Sequence, residues 1–415
     1  MFMQIHLLQS MPPGNLNRDD TGQPKKCIFG GVTRGRISSQ CLKRNIRHST
    51  QFQEVFGDEL SVRTTYLPRM VANEVTRIKP DISGDELDKI KAALASKFKA
   101  EKGKDGSDEE GENKEGQESS KDSSTTDQTG QLVFFPPPFA ESIAELLVKF
   151  RTEHPDAYDL FIGESKKKLS DKEKKALQKT IGDYFVKPAE AASKSLTVDI
   201  GMFGRMTTSD LVVNVEAACQ VAHAISTHEV FIESDYFTAM DDKKAEYVST
   251  QTEKAGAAFL GSGDTETFFS SAVYYKYLNL DADALKKHLS WTDDAAARAA
   301  AVLVHAAARS NPTGKQNAFA AHGIPELILV EVSKSKCPIS YANAFLKPVK
   351  GDNLLTESAS ALCWYVGSVA QAFAPADTRR LLLAVGSASV DIGGSTRVRT
   401  LDELVGAVEG VLKEA

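Results

Sequence analysis

Apolar side chains recur along this chain at two periods, and the changes of period divide it into elements. Residues 3–10 (MQIHLLQS) concentrate apolar side chains at 3, 5, 7 and 8, which predicts a strand. A polar loop with Pro12, Pro13 and Gly14 follows. Residues 34–37 (RGRI) predict extended chain, and Ser38 or Ser39 caps a helix over 40–49. On that helix Leu42 and Ile46 share one face, one turn apart, while Lys43, Arg44 and Arg47 lie on the others. Residues 64–97 predict helices interrupted at Pro80, the second capped by Asp85. Pro136–Pro138 break the chain, and helical spacing resumes over 140–152 and 170–186. Further on, 196–206 predicts a strand and 209–227 an amphipathic helix. The rest predicts a strand at 269–280, an Ala-rich helix at 293–310 starting near Asp293 or Asp294, a strand at 326–333, and helices at 356–373 and 401–413.

With its insertions removed, the order is strand, basic helix, strand, helix, strand, helix, strand. That predicts an α+β fold, ferredoxin-like or RNA-recognition-like, interrupted by a helical block at 60–190 and a protrusion at 228–268. A sheet of this kind has a face to offer to RNA. Hydrophobic residues make up 41% of the 415, enough for a packed core. No apolar run approaches the roughly 20 residues of a membrane span, and the first residues lack the apolar core of a signal peptide. The expected location is cytoplasmic. Five cysteines, an odd number with no CxxC pair, predict reduced thiols. His223 and His228 are spaced for neither a helical face nor zinc, and no metal or other cofactor is expected.

Charge sharpens the picture. The chain is formally −6, and residues 101–130 alone hold ten acids against four lysines. With no aromatic or large aliphatic residue there, the acidic stretch at 98–131 is expected to be disordered. The remainder is near neutral. Against it stands 15–47, where Arg18, Lys25, Lys26, Arg34, Arg36, Lys43, Arg44 and Arg47 face only Asp19 and Asp20. Such a patch predicts a polyanion partner, most simply a nucleic acid. Gly and Asn in the loop 15–26 allow close backbone approach, and its Arg and Lys pair with phosphates. The helix adds backbone N–H groups at its start. Arg34 and Arg36, two apart on a strand, are expected to point the same way.

Asp19 and Asp20 have no His or further acid nearby in sequence, which favours a turn or a salt bridge with Arg18 over metal chemistry. GMFGRM at 201–206 matches no phosphate loop. Its glycines suit close backbone approach, and Met206 suits either the core or a soft contact to a base. The stretch 228–268 sets Tyr236, Phe237, Met240 and Leu260 among polar residues. That fits a hairpin with an apolar tip, and equally a loop folded onto its own core.

Several motifs in fixed order carry a resemblance. They are NLNRDD (15–20), IFGG (28–31), RISSQCLKR (36–44), VDIGMFGRMTTS (198–209), AHAISTH (222–228), DYFTAMDD (235–242), FSSAVYYKYLN (269–279) and ANAF (342–345). Together they resemble the CasC-type backbone subunit of the type I-E CRISPR Cascade complex, of the RAMP superfamily. The resemblance implies a right-hand-like protein. Its RNA-recognition-like palm spans 1–60, 191–227 and 269–415, its helical fingers 61–190, and its β-hairpin thumb 228–268. It implies that copies stack head to tail along CRISPR RNA, beside other Cascade subunits. Each thumb kinks the guide at regular intervals as it is presented to target DNA, with no membrane involved and no enzymatic activity.

Residue by residue, the resemblance implies that Arg18, Lys25, Lys43, Arg44 and Arg47 bind the RNA backbone. Met206, Tyr236, Phe237 and Leu260 would contact bases at the kink. Lys172, Lys175 and Lys179, and the lysines at 166–168, are candidates for guiding target DNA. Tyr236 stands where the family pattern has Trp, and the acidic stretch is extra to that pattern. A rival resemblance is to type III backbone subunits, which share the architecture and cut RNA with a loop Asp; Asp19 or Asp20 would then serve a metal-dependent ribonuclease. A third possibility is a general single-strand RNA chaperone.

Overall fold

The computed structural model describes residues 1–98, 127–164, 169–236, 239–240, 257–258, 266–386 and 390–414. Its chain forms two compact units, the first made of Met1–Phe52, Val221–Ala282 and Asp293–Ala415, the second of Gln53–Gln220 and Asp283–Thr292. As expected, the fold is α+β.

The first unit is built on a mixed sheet. Its strands are β1 (Phe2–Gly14), β2 (Lys26–Phe29), β3 (Val32–Ile37), β4 (Ala224–Ser226), β5 (Glu233–Tyr236), β6 (Glu266–Asp281), β7 (Pro325–Ser333), β8 (Arg379–Ala384) and β9 (Ser395–Val398). They run in the order β9-β8-β7-β1-β6-β4-β3-β2, with β5 on the outer part of β6. All neighbours are antiparallel except β8 and β9. β1 is central, and both its faces are buried, so its apolar residues form a run instead of strict alternation. It also continues through Pro12 and Pro13, where a loop was expected; a register shift between Met11 and Gly14 accommodates the missing donors.

The longer helices of this unit are α1 (Ser39–Arg47), α2 (Asp293–Arg309), α3 (Leu354–Phe373) and α4 (Leu401–Lys413). The alanines of α2 let it lie close to β1, α1 and α4. Leu362 and Val366 of α3 pack on the opposite face with Leu8, Tyr275, Leu329, Tyr341 and Phe345. From the sheet, β5 and β6 and the pair Ala239–Met240/Ala257–Ala258 form an antiparallel hairpin. Its tip lies outside the described residues.

A polar network crosses the α3 face. Glu331 accepts from Arg380 Nε at 2.7 Å and from Tyr341 OH at 2.8 Å, with His6 Nε2 3.4 Å away. His6 Nδ1 meets the Tyr275 hydroxyl at 2.9 Å, and that hydroxyl accepts from Tyr341 N at 2.9 Å. Burial lowers the His6 pKa below 6.5 despite the opposing pull of Glu331. Burial would raise Glu331, but His6, Tyr341 and Arg380 outweigh it and hold the carboxyl below 4.5. His228 is also lowered by burial. Below pH 6.5 the unfolded histidines take up protons that the folded ones refuse, so stability falls as the pH is lowered. At lower pH, Glu331 acts in the same direction. The urea midpoint is expected to drop between pH ~7 and ~5, with a shallower drop in His6→Gln; an identical slope in that variant would count against the assignment.

The second unit is mostly helical. Leu67, Val71 and Val75 pack with Leu94, Phe98, Phe135, Phe139, Leu147, Phe150 and Phe185. Glu86 ties its surface, accepting from Arg151 Nε and Nη2 at 2.7 and 2.9 Å and from Tyr158 OH at 2.8 Å. Ser83, not Asp85, caps the helix Gly84–Ser96, its hydroxyl accepting from Glu86 N. Both ends of the acidic stretch are ordered, contrary to expectation: Phe98 is fully buried, and Thr129 N donates to Thr65 O at 2.8 Å. Residues 99–126 lie outside the described residues.

Two further expectations are overturned here. The strand predicted at 196–206 is the helix Val198–Phe203, ended by Gly204 at φ +79°. Burial on every side of that short helix erased its period: Asp199 is itself buried, accepting from Ser61 Oγ at 2.6 Å. The amphipathic helix predicted at 209–227 does not form either. Val215 instead bridges Arg205, and Ala224–Ser226 joins the sheet, its β-branched Ile225 paired with both neighbouring strands.

Candidate nucleic-acid interface

The basic segment is assembled around one turn and one cap. Asp19 organises the loop, its Oδ1 accepting from Thr21 N at 3.0 Å, Thr21 Oγ1 at 2.7 Å and Gln23 N at 3.0 Å. Asn15, buried beneath, donates to Gly22 O at 2.9 Å. The loop is then stitched to its neighbours. Lys25 N donates to Asn17 O at 2.8 Å, Arg36 N to Lys25 O at 2.9 Å, and Ser38 N to Asn17 Oδ1 at 2.8 Å. Ser38 is also the N-cap of α1, its Oγ accepting from Cys41 N. Asn17 thus fixes the start of α1 against the loop that carries Arg18 and Lys25.

Leu42, Asn45 and Ile46 point α1 into the unit and leave its cations outward. Arg44 is exposed; Lys43, Arg47, Arg18 and Lys25 are half-buried. No acid occupies the first turn of α1, and Arg44 and Arg47 sit in its last turn, where they suit the helix dipole. Behind the helix, Lys276 of β6 is buried, and burial brings its pKa down to about 8 against an opposing effect from Cys41.

Arg34 corrects the sequence reading. It faces no solvent and donates to Phe29 O at 3.1 Å, Ser226 O at 3.0 Å and Phe345 O at 2.7 Å. The positive charge anchors the β2–β3 hairpin instead of meeting phosphate. Arg36 is half-buried, with Nη1 3.3 Å from His223 Nδ1. The hairpin turns through Gly30 and Gly31, both at positive φ, and a Cβ at Gly30 would overlap Leu346 O. The ANAF segment therefore holds the hairpin from below, as the 3-10 turn Ala342–Phe345.

Arg205 plays a similar part in the second unit. It donates to Val213 O at 2.9 Å, Phe134 O at 3.2 Å and Ser193 O at 2.9 Å, and burial lowers its pKa to about 10. The next residue, Met206, is 84% exposed. Lys172, Lys175 and Lys179 are exposed along one side of the helix Asp171–Ile181, capped by the Ser170–Glu173 box. The backbone of Tyr236 ends β5. Phe237, Leu260 and the lysines at 166–168 lie outside the described residues. Sequence reading missed Asn17 and Ser38 as a latch and Gly314, which backs onto the carbonyls of Asn15 and Leu16. An Asn and a Ser twenty-one residues apart give no local signal of pairing.

The fold and this surface define an α+β protein with a helical insertion and an outward basic loop and helix. The chain belongs to the CT1975-like protein family, whose match spans residues 3–407. It is similar to a chain of the solved "CRISPR RNA-guided surveillance complex, pre-nicking", with 26% identity, a TM-score of 0.72, and 99% of this chain and 100% of that one covered. A chain of another solved "CRISPR RNA-guided surveillance complex" is 22% identical, with a TM-score of 0.63 and coverage of 98% and 100%; that likeness is one of fold. None of the curated proteins matches. Among the described residues no helix is long and apolar enough to cross a membrane.

Proposed function

We propose that this chain is the backbone subunit of a type I-E Cascade complex, a cytoplasmic scaffold that binds CRISPR RNA and presents it to target DNA. The observation that carries the reading is the Asn17–Ser38 latch, which joins the basic loop to the basic helix. Arg18, Lys25, Lys43, Arg44 and Arg47 grip phosphates, so the guide is held by its backbone and its bases stay available for pairing. Met206, Tyr236, Phe237 and Leu260 meet bases at the kinks, and Lys172, Lys175 and Lys179 steer the DNA strand. Copies join head to tail, a heterologous contact that extends along the RNA, beside other Cascade subunits.

The scaffold is proposed to be non-catalytic. Asp19 supports this, because one of its oxygens already accepts three hydrogen bonds that shape the loop. The test is purification of the tagged chain with its RNA, sequencing that RNA, and repeating with Asp19→Ala. One uniform population, a spacer between fixed repeat-derived ends, is expected. Asp19→Ala is expected to loosen the loop and lower retention several-fold. RNA of arbitrary sequence would sink the reading, and Mg²⁺-dependent cutting of guide-paired RNA that Asp19→Ala abolishes would replace it with a ribonuclease.

A further inference from the structure

On the second unit, three large apolar side chains open to solvent in one neighbourhood: Tyr66 at 43%, Leu132 at 50% and Met206 at 84% exposure. They come from three separate stretches, and specific bonds bring them together. The strands Val62–Thr64 and Val133–Phe135 pair, with Thr64 opposite Val133. Gln128 Nε2 donates to Tyr66 OH at 2.9 Å. Gln131 Nε2 reaches Thr207 Oγ1 at 3.4 Å and Thr208 Oγ1 at 3.3 Å. Buried Arg205 ties the chain just before Met206 to Phe134 O. The surface is held from several sides, so its apolar exposure is a built feature, of the kind that marks an interaction site.

We propose that Tyr66, Leu132 and Met206 form one stacking platform for an unpaired base of the bound RNA strand, a deepening that rests on the reading above. An aromatic ring, a branched aliphatic and a polarisable thioether suit the flat face of a base. The amides of Gln128 and Gln131 and the hydroxyls of Thr207 and Thr208 rim them, as a polar base edge requires. Charge points the same way. Arg69, exposed, lies three residues past Tyr66. The nearby carboxylates are already matched: Asp127 lies 2.7 Å from Lys91 Nζ, and Asp210 lies 2.9 Å from Lys97 Nζ. An apolar patch beside an exposed arginine and neutralised acids fits a nucleic-acid strand better than an acidic or purely apolar protein face. Leu132 lies just past the acidic stretch, so that insertion ends at the platform.

The test uses the RNA-loaded protein with 4-thiouridine in its guide, irradiated with near-ultraviolet light and digested for mass spectrometry. Adducts are expected on the peptides carrying Tyr66 and Leu132 as well as on that carrying Met206. Tyr66→Ser with Leu132→Ser should cut the Met206 adduct roughly tenfold, in line with the loss of one stacked base, while the guide stays bound. Tyr66→Phe keeps the ring, loses only the bond to Gln128, and should retain the adduct. Guide RNA present without any adduct at Tyr66 or Leu132 overturns the platform and leaves the scaffold reading standing. A protein cross-linked there in place of RNA does the same. A chain that carries no guide at all removes both.

Discussion

Lys43→Glu together with Arg47→Glu is expected to strip RNA from the purified protein while leaving it folded. The two positions are one helical turn apart on α1, both half-buried, and the residues that hold the helix down are others, Leu42, Asn45 and Ile46. Reversal therefore changes the surface and spares the packing; against the helix dipole it should cost only some tenths of a kcal/mol per charge. If the two side chains grip phosphates as proposed, two charge-assisted contacts per subunit are lost and two repulsions gained. A hydrogen bond to a charged group contributes about 1.5–3 kcal/mol, so the pair accounts for roughly 3 kcal/mol or more, about a hundredfold in affinity. The salt dependence is the sharper readout. Each single-strand phosphate contact adds about 0.7 to the slope of log K against log salt, so that slope should shrink by about 1.4 per subunit. Size exclusion over a salt series, with nucleic acid and circular dichroism measured on each fraction, checks both halves. A folded variant that keeps its RNA at high salt would show that the guide is held elsewhere.

Much of the sheet unit was legible because its elements are long and their period is clean. β6, β7, α2, α3 and α4 all fall where apolar spacing placed them. The cap at Ser38 and the inward pair Leu42 and Ile46 were also readable, since capping and helix faces are local. What failed was decided at long range. The helix at 198–203 is buried all round and shows no face, and the segment after it exchanged a helical pattern for pairing with β3 and β6. The arginines fail for a related reason. Arg34 and Arg36 sit two apart on one strand, yet three carbonyls, two of them from distant segments, draw Arg34 into the interior. Sequence registers the charge but not the acceptors waiting for it. Tyr66 and Leu132 escaped notice because nothing in a linear reading sets them beside Met206.

Arg34→Ala is expected to be among the most destabilising single changes in the sheet unit, whereas Arg36→Ala should fall within about half a kcal/mol of the parent. The guanidinium is the donor shared by Phe29 O, Ser226 O and Phe345 O, and no water-exposed route reaches it, since the side chain is fully buried. Each buried acceptor left without a donor costs about 1–3 kcal/mol, so Ser226 O and Phe345 O, with the part-buried Phe29 O, carry roughly 3 kcal/mol before any cavity is counted. That is a large share of the about 5–15 kcal/mol that stabilises a typical fold. Arg34→Lys keeps the charge, but a point-like ammonium does not span three carbonyls placed for a planar fork, so its loss should be intermediate. Urea unfolding followed by circular dichroism orders the three variants. The consequence reaches the proposed RNA surface. Arg34 clamps β3 onto Phe345, and β3 leads into the Ser38 cap and so into α1. RNA retention should therefore fall in Arg34→Ala although the residue meets no phosphate, and osmolytes that restore the fold should restore binding with it. If Arg34→Ala unfolds at the parent's urea midpoint yet loses RNA, the guanidinium contacts the guide directly, and the three-carbonyl anchor is not what holds the hairpin.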